Sequence, residues 1–129
     1  MSQNPFILFV CEHGAAKSIL AAAYFNRFAA ERGLDVRALA RGTHPDSELS
    51  LPTLQGLAAD GLMPTESVPQ ALTPEEVESA RRIITFCELP DTQTAPVTIE
   101  RWDGVPPVSE SYQRARDVIV ERIQNMLNQ

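Results

Sequence analysis

The chain has 129 residues, 43% of them hydrophobic and 22% charged, with a formal net charge of −6 at pH 7. That length supports one well-packed core and is short for two ordinary domains, so one domain over residues 1–129 is expected. The acidic balance excludes a general nucleic-acid or anionic-membrane binder, which needs clustered Lys and Arg to release counterions. No apolar stretch approaches a membrane span and Met1-Ser2-Gln3-Asn4 has no basic leader, so a cytoplasmic location is expected.

Taken in order, Phe6 to Val10 is a short apolar run of the kind that forms a strand buried on both faces. It ends at Cys11 and a small polar segment, Glu12-His13-Gly14-Ala15-Ala16, after which an Ala-rich helix is predicted from Lys17 to Arg32, with Gly33 as its C′ residue. Leu34 to Leu39 reads as a second strand and Ala40 to Pro45 as a turn. Pro52 opens a short helix with Leu54, Leu57 and Ala58 on its apolar face, stopped by Gly61; Gly56 inside it is an unfavourable residue. Thr73-Pro74-Glu75-Glu76 has the form of a capping box and predicts a helix to about Ala80. Arg82 to Cys87 and Val97 to Trp102 read as third and fourth strands, the last at an edge. Asp103 to Pro107 is a loop, and Ser109 caps a final helix whose stripe is Tyr112, Ala115, Ile119, Ile123 and Met126.

Strands alternating with helices imply an α/β fold: a parallel sheet with helices on both faces and a ligand crevice beyond the C-terminal strand ends. The loop from Glu12 to Ala16 stands between a central strand and a helix N-terminus, where unpaired N–H groups and the helix dipole favour an anion. If the third strand lies beside the first, Cys11 and Cys87 emerge at the same end of the sheet. Two cysteines so far apart in sequence make neither a disulfide scaffold nor a zinc site, and no metal or cofactor is expected. His13 and His44 lack a spaced ligand set and read as surface or turn residues. Cys87 and Asp103 also have plain readings, as a packed thiol and a turn residue.

Cys11, five intervening residues, then Ser18 after a cation resembles the Cys-x5-Arg-Ser/Thr loop of the low-molecular-weight protein tyrosine phosphatases and the arsenate reductases of the same fold. Arg41-Gly42-Thr43, Pro69 to Ile84 and Trp102 to Ile119 resemble further segments of that family in the same order. The resemblance implies a three-layer sandwich around a four-stranded parallel sheet. It implies Cys11 as nucleophile, Ser18 as the hydroxyl bonded to its thiolate, and Glu12, His13, Gly14, Ala15, Ala16 and Lys17 as the rest of an anion-binding loop. Gly14 stands where the family has a residue in the left-handed conformation, which glycine adopts readily. In the thioredoxin-coupled reductases a second cysteine at the position of Cys87 attacks the first.

The chain departs from that pattern in three places. Lys17 replaces the arginine that clamps the oxyanion with two parallel hydrogen bonds. Pro106 stands at the place of the Asp-Pro general acid, leaving Asp103, three residues earlier, as a displaced candidate. No third cysteine lies between Leu89 and Val97, so a small thiol or a thioredoxin-like protein would be the reductant. Three functions follow: thiol attack on arsenate by Cys11, with the loop amides and Lys17 binding and either Cys87 or a small thiol alone taking the adduct apart; phosphomonoester hydrolysis through a phosphocysteine, with Asp103 as acid; or non-catalytic binding of a phosphate-like anion or a partner.

Overall fold

The computed structural model describes residues 5–87 and 98–128. Strands β1 (Phe6–Cys11), β2 (Arg37–Gly42), β3 (Arg82–Thr85) and β4 (Thr98–Arg101) form one parallel sheet in the order β2-β1-β3-β4. Helices α1 (Lys17–Glu31), α2 (Leu51–Ala59), α3 (Pro74–Ser79) and α4 (Tyr112–Leu127) flank it. Because successive strand side chains alternate between faces, Ile7 and Phe9 of β1 enter a large core with α1 and α4, while Leu8 and Val10 enter a smaller one with Val77, Ala80 and Ile83. That two-sided burial is why β1 reads as an unbroken apolar run. None of the described helices is long and apolar enough to cross a membrane.

The expected α/β sandwich is present, with β1 central and β3 beside it. Two boundaries differ from expectation. Gly33, at φ 68°, closes α1 by a Schellman motif in which Leu34 N–H donates to Ala29 O at 2.9 Å and Gly33 N–H to Ala30 O at 3.1 Å. Leu34 is thus committed to the helix end, and β2 begins at Arg37 and runs through the expected turn to Gly42, paired with β1 from Phe6↔Arg37 to Cys11↔Gly42. The second difference is the start of α4. Residues Pro107 to Ser111 form a turn, and Ser111 rather than Ser109 caps the helix, its hydroxyl accepting from Arg114 N–H at 3.2 Å. Smaller shifts are that β3 ends at Thr85 and that Thr53, not Ala58, joins Leu57 in burial on α2. Val97 lies outside the described residues.

An edge strand must be covered, and β2 is covered by the segment that follows α2. Gly42 bridges to Ala71, with Gly42 N–H donating to Gln70 O at 2.8 Å and Leu72 N–H to Gly42 O at 3.0 Å. Arg41, only 12% exposed, fastens this segment by pairing Glu76 through Nε and Nη2 at 2.8–3.0 Å and Glu66 at 3.1 Å. Glu76 also completes the capping box with Thr73. Burial pushes the Glu76 carboxyl up, but the hydrogen bonds and charge of Arg41, with Thr73 adding to them, outweigh that and hold it below its ordinary value.

On the opposite face Asp60, at the end of α2, accepts from Tyr24 of α1 at 2.5 Å and from Tyr112 of α4 at 2.8 Å, with Arg116 Nη1 at 3.3 Å. Burial and the Asp60 carboxylate together push the Tyr24 hydroxyl up to about 12. Gly56 is explained by the same junction. A Cβ there would sit 2.3 Å from the Tyr112 ring, so the helix must be bare where α4 crosses it.

Two outcomes follow. Gly56→Ala destabilises the fold by about 1–3 kcal/mol through overpacking despite the better helix propensity of alanine; denaturant titration reads this, and the cost shrinks in a Tyr112→Ala background. Glu76 has a folded value below its unfolded 4.5, so its stabilisation is complete above that range and is lost as pH falls through the folded value. Glu76→Gln keeps the capping geometry and loses the charge. Its unfolding midpoint at neutral pH is lower than that of the parent protein, and it loses less further stability between about pH 5 and 2.

Candidate functional site

From β1 the chain steps outward to β2, and from β3 it steps the other way to β4, so the sheet diverges between its two central strands. A crevice opens at such a switch point beyond the C-terminal strand ends. Cys11 is the last residue of β1, and Cys87 follows β3 by two residues. Both line one cavity of about 330 Å³, together with Glu12, His13, Ala15, Ala16, Lys17, Asp46, Ser50 and Phe86, and with Pro107, Val108 and Ser109 from the turn before α4.

The loop after Cys11 is shaped by its neighbour, the segment that leaves β2. Thr43 N–H donates to Cys11 O at 3.2 Å, His44 N–H to Glu12 O at 2.7 Å, Asp46 N–H to His13 O at 3.0 Å and Ser50 N–H to Ala15 O at 2.9 Å. These bonds occupy the loop carbonyls from outside. Among the described residues the N–H groups of Glu12 to Ala16 donate no hydrogen bond, and Ala16 at the head of α1 supplies no side-chain cap. Unpaired donors on a tight loop at a helix N-terminus are the components of an oxyanion site.

Gly14 makes the close approach feasible. It has φ 61°, and a Cβ on it would lie 2.9 Å from Gly42 N, while a Cβ on Gly42 would lie 2.7 Å from Gly14 N. The expectation of a left-handed residue at Gly14 is therefore met, and Gly42 proves equally constrained.

Cys11 is 8% exposed, and its Sγ lies 3.1 Å from the Oγ of Ser18, which is fully buried in the first turn of α1. A hydroxyl at that distance can donate to a thiolate and hold it in place. Lys17 is half-buried on the cavity wall and makes no ion pair or hydrogen bond among the described residues, so its ammonium is unspent. Cys87 is held by the Thr85 hydroxyl, which accepts from Cys87 N–H at 3.1 Å, donates to Cys87 O at 2.7 Å and lies 3.6 Å from its Sγ. Phe86, between them, stacks with Phe9 and meets Trp102 edge-on, so the cavity rests on a rigid aromatic layer.

Of the residues singled out from sequence, Cys11, Glu12, His13, Ala15, Ala16, Lys17 and Cys87 surround the cavity, with Gly14 and Ser18 supporting it. Asp103 is placed elsewhere. It is 74% exposed, bonded to Arg101 at 2.8 Å, and lines a separate cleft with Arg82, Trp102 and Arg122. Asp46 and Ser50 were not singled out, because they lie in a loop far from Cys11 in sequence. Only the register that sets Gly42 opposite Cys11 brings Asp46 beside His13.

Three solved structures show how widely this fold is shared. A thioredoxin-dependent arsenate reductase from Corynebacterium glutamicum is 24% identical with a TM-score of 0.74; the match covers 98% of this chain, which spans 62% of that protein's length. An arsenate reductase from Archaeoglobus fulgidus is 23% identical with a TM-score of 0.77, covering 95% of this chain and 99% of the other. A low-molecular-weight protein tyrosine phosphatase from T. tengcongensis is 17% identical with a TM-score of 0.80, covering 96% and 98%. These likenesses concern the fold. The lineage follows from the sequence profile of low molecular weight phosphotyrosine protein phosphatases, which matches residues 6–118, from the first strand through the cysteine loop into α4, and the chain belongs to that family.

Proposed function

We propose that the protein is a cysteine-dependent oxyanion enzyme of the arsenate-reductase type. The observation that carries this reading is the opening of Cys11 and Cys87 into one cavity. The free N–H groups of the loop and the Lys17 ammonium bind arsenate. The Cys11 thiolate, steadied by Ser18, forms a bond to arsenic as one arsenic–hydroxyl bond breaks and the oxygen leaves, with a proton, as water. The Cys87 thiolate then attacks the Cys11 sulfur. The sulfur–sulfur bond forms, the electron pair of the sulfur–arsenic bond passes to arsenic, and arsenite departs. Two thiols are thereby oxidised and one arsenic(V) reduced, and a small thiol or thioredoxin-like protein restores the pair.

The placement of Asp103 tells against its serving as the displaced acid of ester hydrolysis. Expelling an alkoxide requires a proton donor close to the leaving oxygen, and this carboxyl, where sequence suggests a displaced acid, belongs to another cleft. Lys17 supplies a point charge in place of a two-pronged clamp, which lowers transition-state binding without removing it.

Purified protein given arsenate and a thiol donor is expected to yield arsenite, with Cys11→Ser reducing the yield to background. Cys87→Ser stalls at the Cys11 adduct, visible by mass spectrometry, and wild-type protein trapped in turnover shows a Cys11–Cys87 disulfide. Lys17→Arg raises kcat/KM by about tenfold, equivalent to about 1.4 kcal/mol of transition-state binding. Absence of arsenite alongside release of phenol from an aryl phosphate would replace this reading with a phosphatase.

A further inference from the structure

The reaction just described, on which this inference rests, needs a proton for the departing oxygen. The family's usual position for an acid is occupied by Pro106, and Asp103 is in a different cleft. One titratable pair on the cavity wall has no role so far. His13 Nδ1 lies 3.1 Å from Asp46 Oδ1, and both residues line the cavity above Cys11. We infer that His13, oriented by Asp46, is the proton donor to the oxyanion bound over Cys11.

The tautomer follows from the contact. A carboxylate can only accept, so the ring nitrogen facing it must carry its hydrogen. Nδ1 is therefore protonated whether the ring is neutral or charged, and the proton that comes and goes is that of Nε2. Among the described residues Nε2 has no hydrogen-bond partner; a carboxylate oxygen of Glu12 is 3.9 Å away. A histidine with one nitrogen pinned and the other free is arranged to hand over a proton.

The pair is latched twice. Asp46 N–H donates to the His13 carbonyl at 3.0 Å while the Asp46 carboxylate faces the His13 ring, so backbone and side chain fix the same two residues. The ring itself is 59% exposed, so water can reprotonate it after each turnover. The other ionisable groups around it are Glu12 on its own loop and Lys17, Cys11 and Cys87 on the cavity wall. His44 is a different case: among the described residues its Nδ1 meets the Thr43 hydroxyl, at 3.3 Å, and no carboxylate.

In the step itself the Cys11 sulfur–arsenic bond forms, the arsenic–oxygen bond breaks toward oxygen, and that oxygen takes the Nε2 proton and leaves as water. His13 is left neutral and the arsenic remains arsenic(V) until Cys87 attacks. His13 is the catalytic residue here, and Asp46 is a positioning residue.

The chain has two histidines, which makes a ring-proton NMR titration decisive, with inorganic phosphate as an inert probe and His44 as internal reference. Phosphate is expected to move the loop amides and to raise the pH midpoint of His13 but not that of His44, and Asp46→Asn reduces the rise. In the arsenate assay His13→Gln lowers kcat by about a hundredfold with KM little changed, and removes the limb of the pH profile that falls toward high pH. Both variants keep the backbone latch, so loss of folding is not expected to confound them.

If phosphate moves the loop amides and leaves His13 unmoved, the pair is not the donor and the proposed enzyme type still stands. A His13→Gln protein with wild-type kcat and pH profile overturns the inference in the same way. If His13 responds to phosphate but no arsenite is ever formed, the reductase reading falls and the donor step with it, and only the place of His13 beside the bound anion stands. No response of the loop amides at all overturns both.

Discussion

The constraint on which the cysteine loop depends is the contact between two backbones, at Gly14 and Gly42. Neither position has room for a Cβ, and only because both lack one can the strand end of β2 press against the cysteine loop. That approach aligns the segment from Thr43 to Ser50 so that its N–H groups satisfy the carbonyls of Cys11, Glu12, His13 and Ala15. With the carbonyls turned to this partner, the N–H groups of Glu12 to Ala16 are left without an acceptor among the described residues. The site is thus built from fixed dipoles at the head of α1, which cost little reorganisation when charge arrives.

Charge around that cradle is sparse and mixed. Among the described residues Lys17 is the one Lys or Arg lining the cavity, against the carboxylates of Glu12 and Asp46. An arginine would match two oxygens of a tetrahedral anion at once, whereas an ammonium offers a mobile point charge. In the proposed reaction such a site relies on its backbone for binding and on a second thiol for completing the chemistry.

Local features of the fold were legible in the sequence where one segment determines its own structure. The β1 run, the cysteine loop, the Schellman glycine at Gly33 and the Thr73–Glu76 capping box are all short-range and were read with near-correct limits. What escaped depends on partners distant in sequence. The start of β2 was misplaced because Leu34 is held by α1. The cap of α4 moved to Ser111 because Pro107 closes a turn first. Gly56 looked like a defect until the Tyr112 ring was seen to cross it. The candidate site divided along the same line: Cys11, Lys17 and Ser18 lie on contiguous chain, while Asp46 enters only through strand register and Asp103 is drawn off by its contact with Arg101.

Helix α1 is tied at several points that never touch the cavity. Asn26 bonds both the N–H and the carbonyl of Ala38 in β2, at 2.7 and 3.1 Å, Tyr24 is moored to Asp60, and Arg27 reaches the Asp60 carbonyl at 3.2 Å. A helix so braced cannot swivel about the sheet, and its axis keeps a set bearing toward the cysteine. The field it projects at the thiol is therefore a property of the resting scaffold, established when the chain folds and independent of what later occupies the loop. Slackening those distant ties, by removing Asn26 for instance, would blur the aim of the dipole while leaving every cavity residue in place.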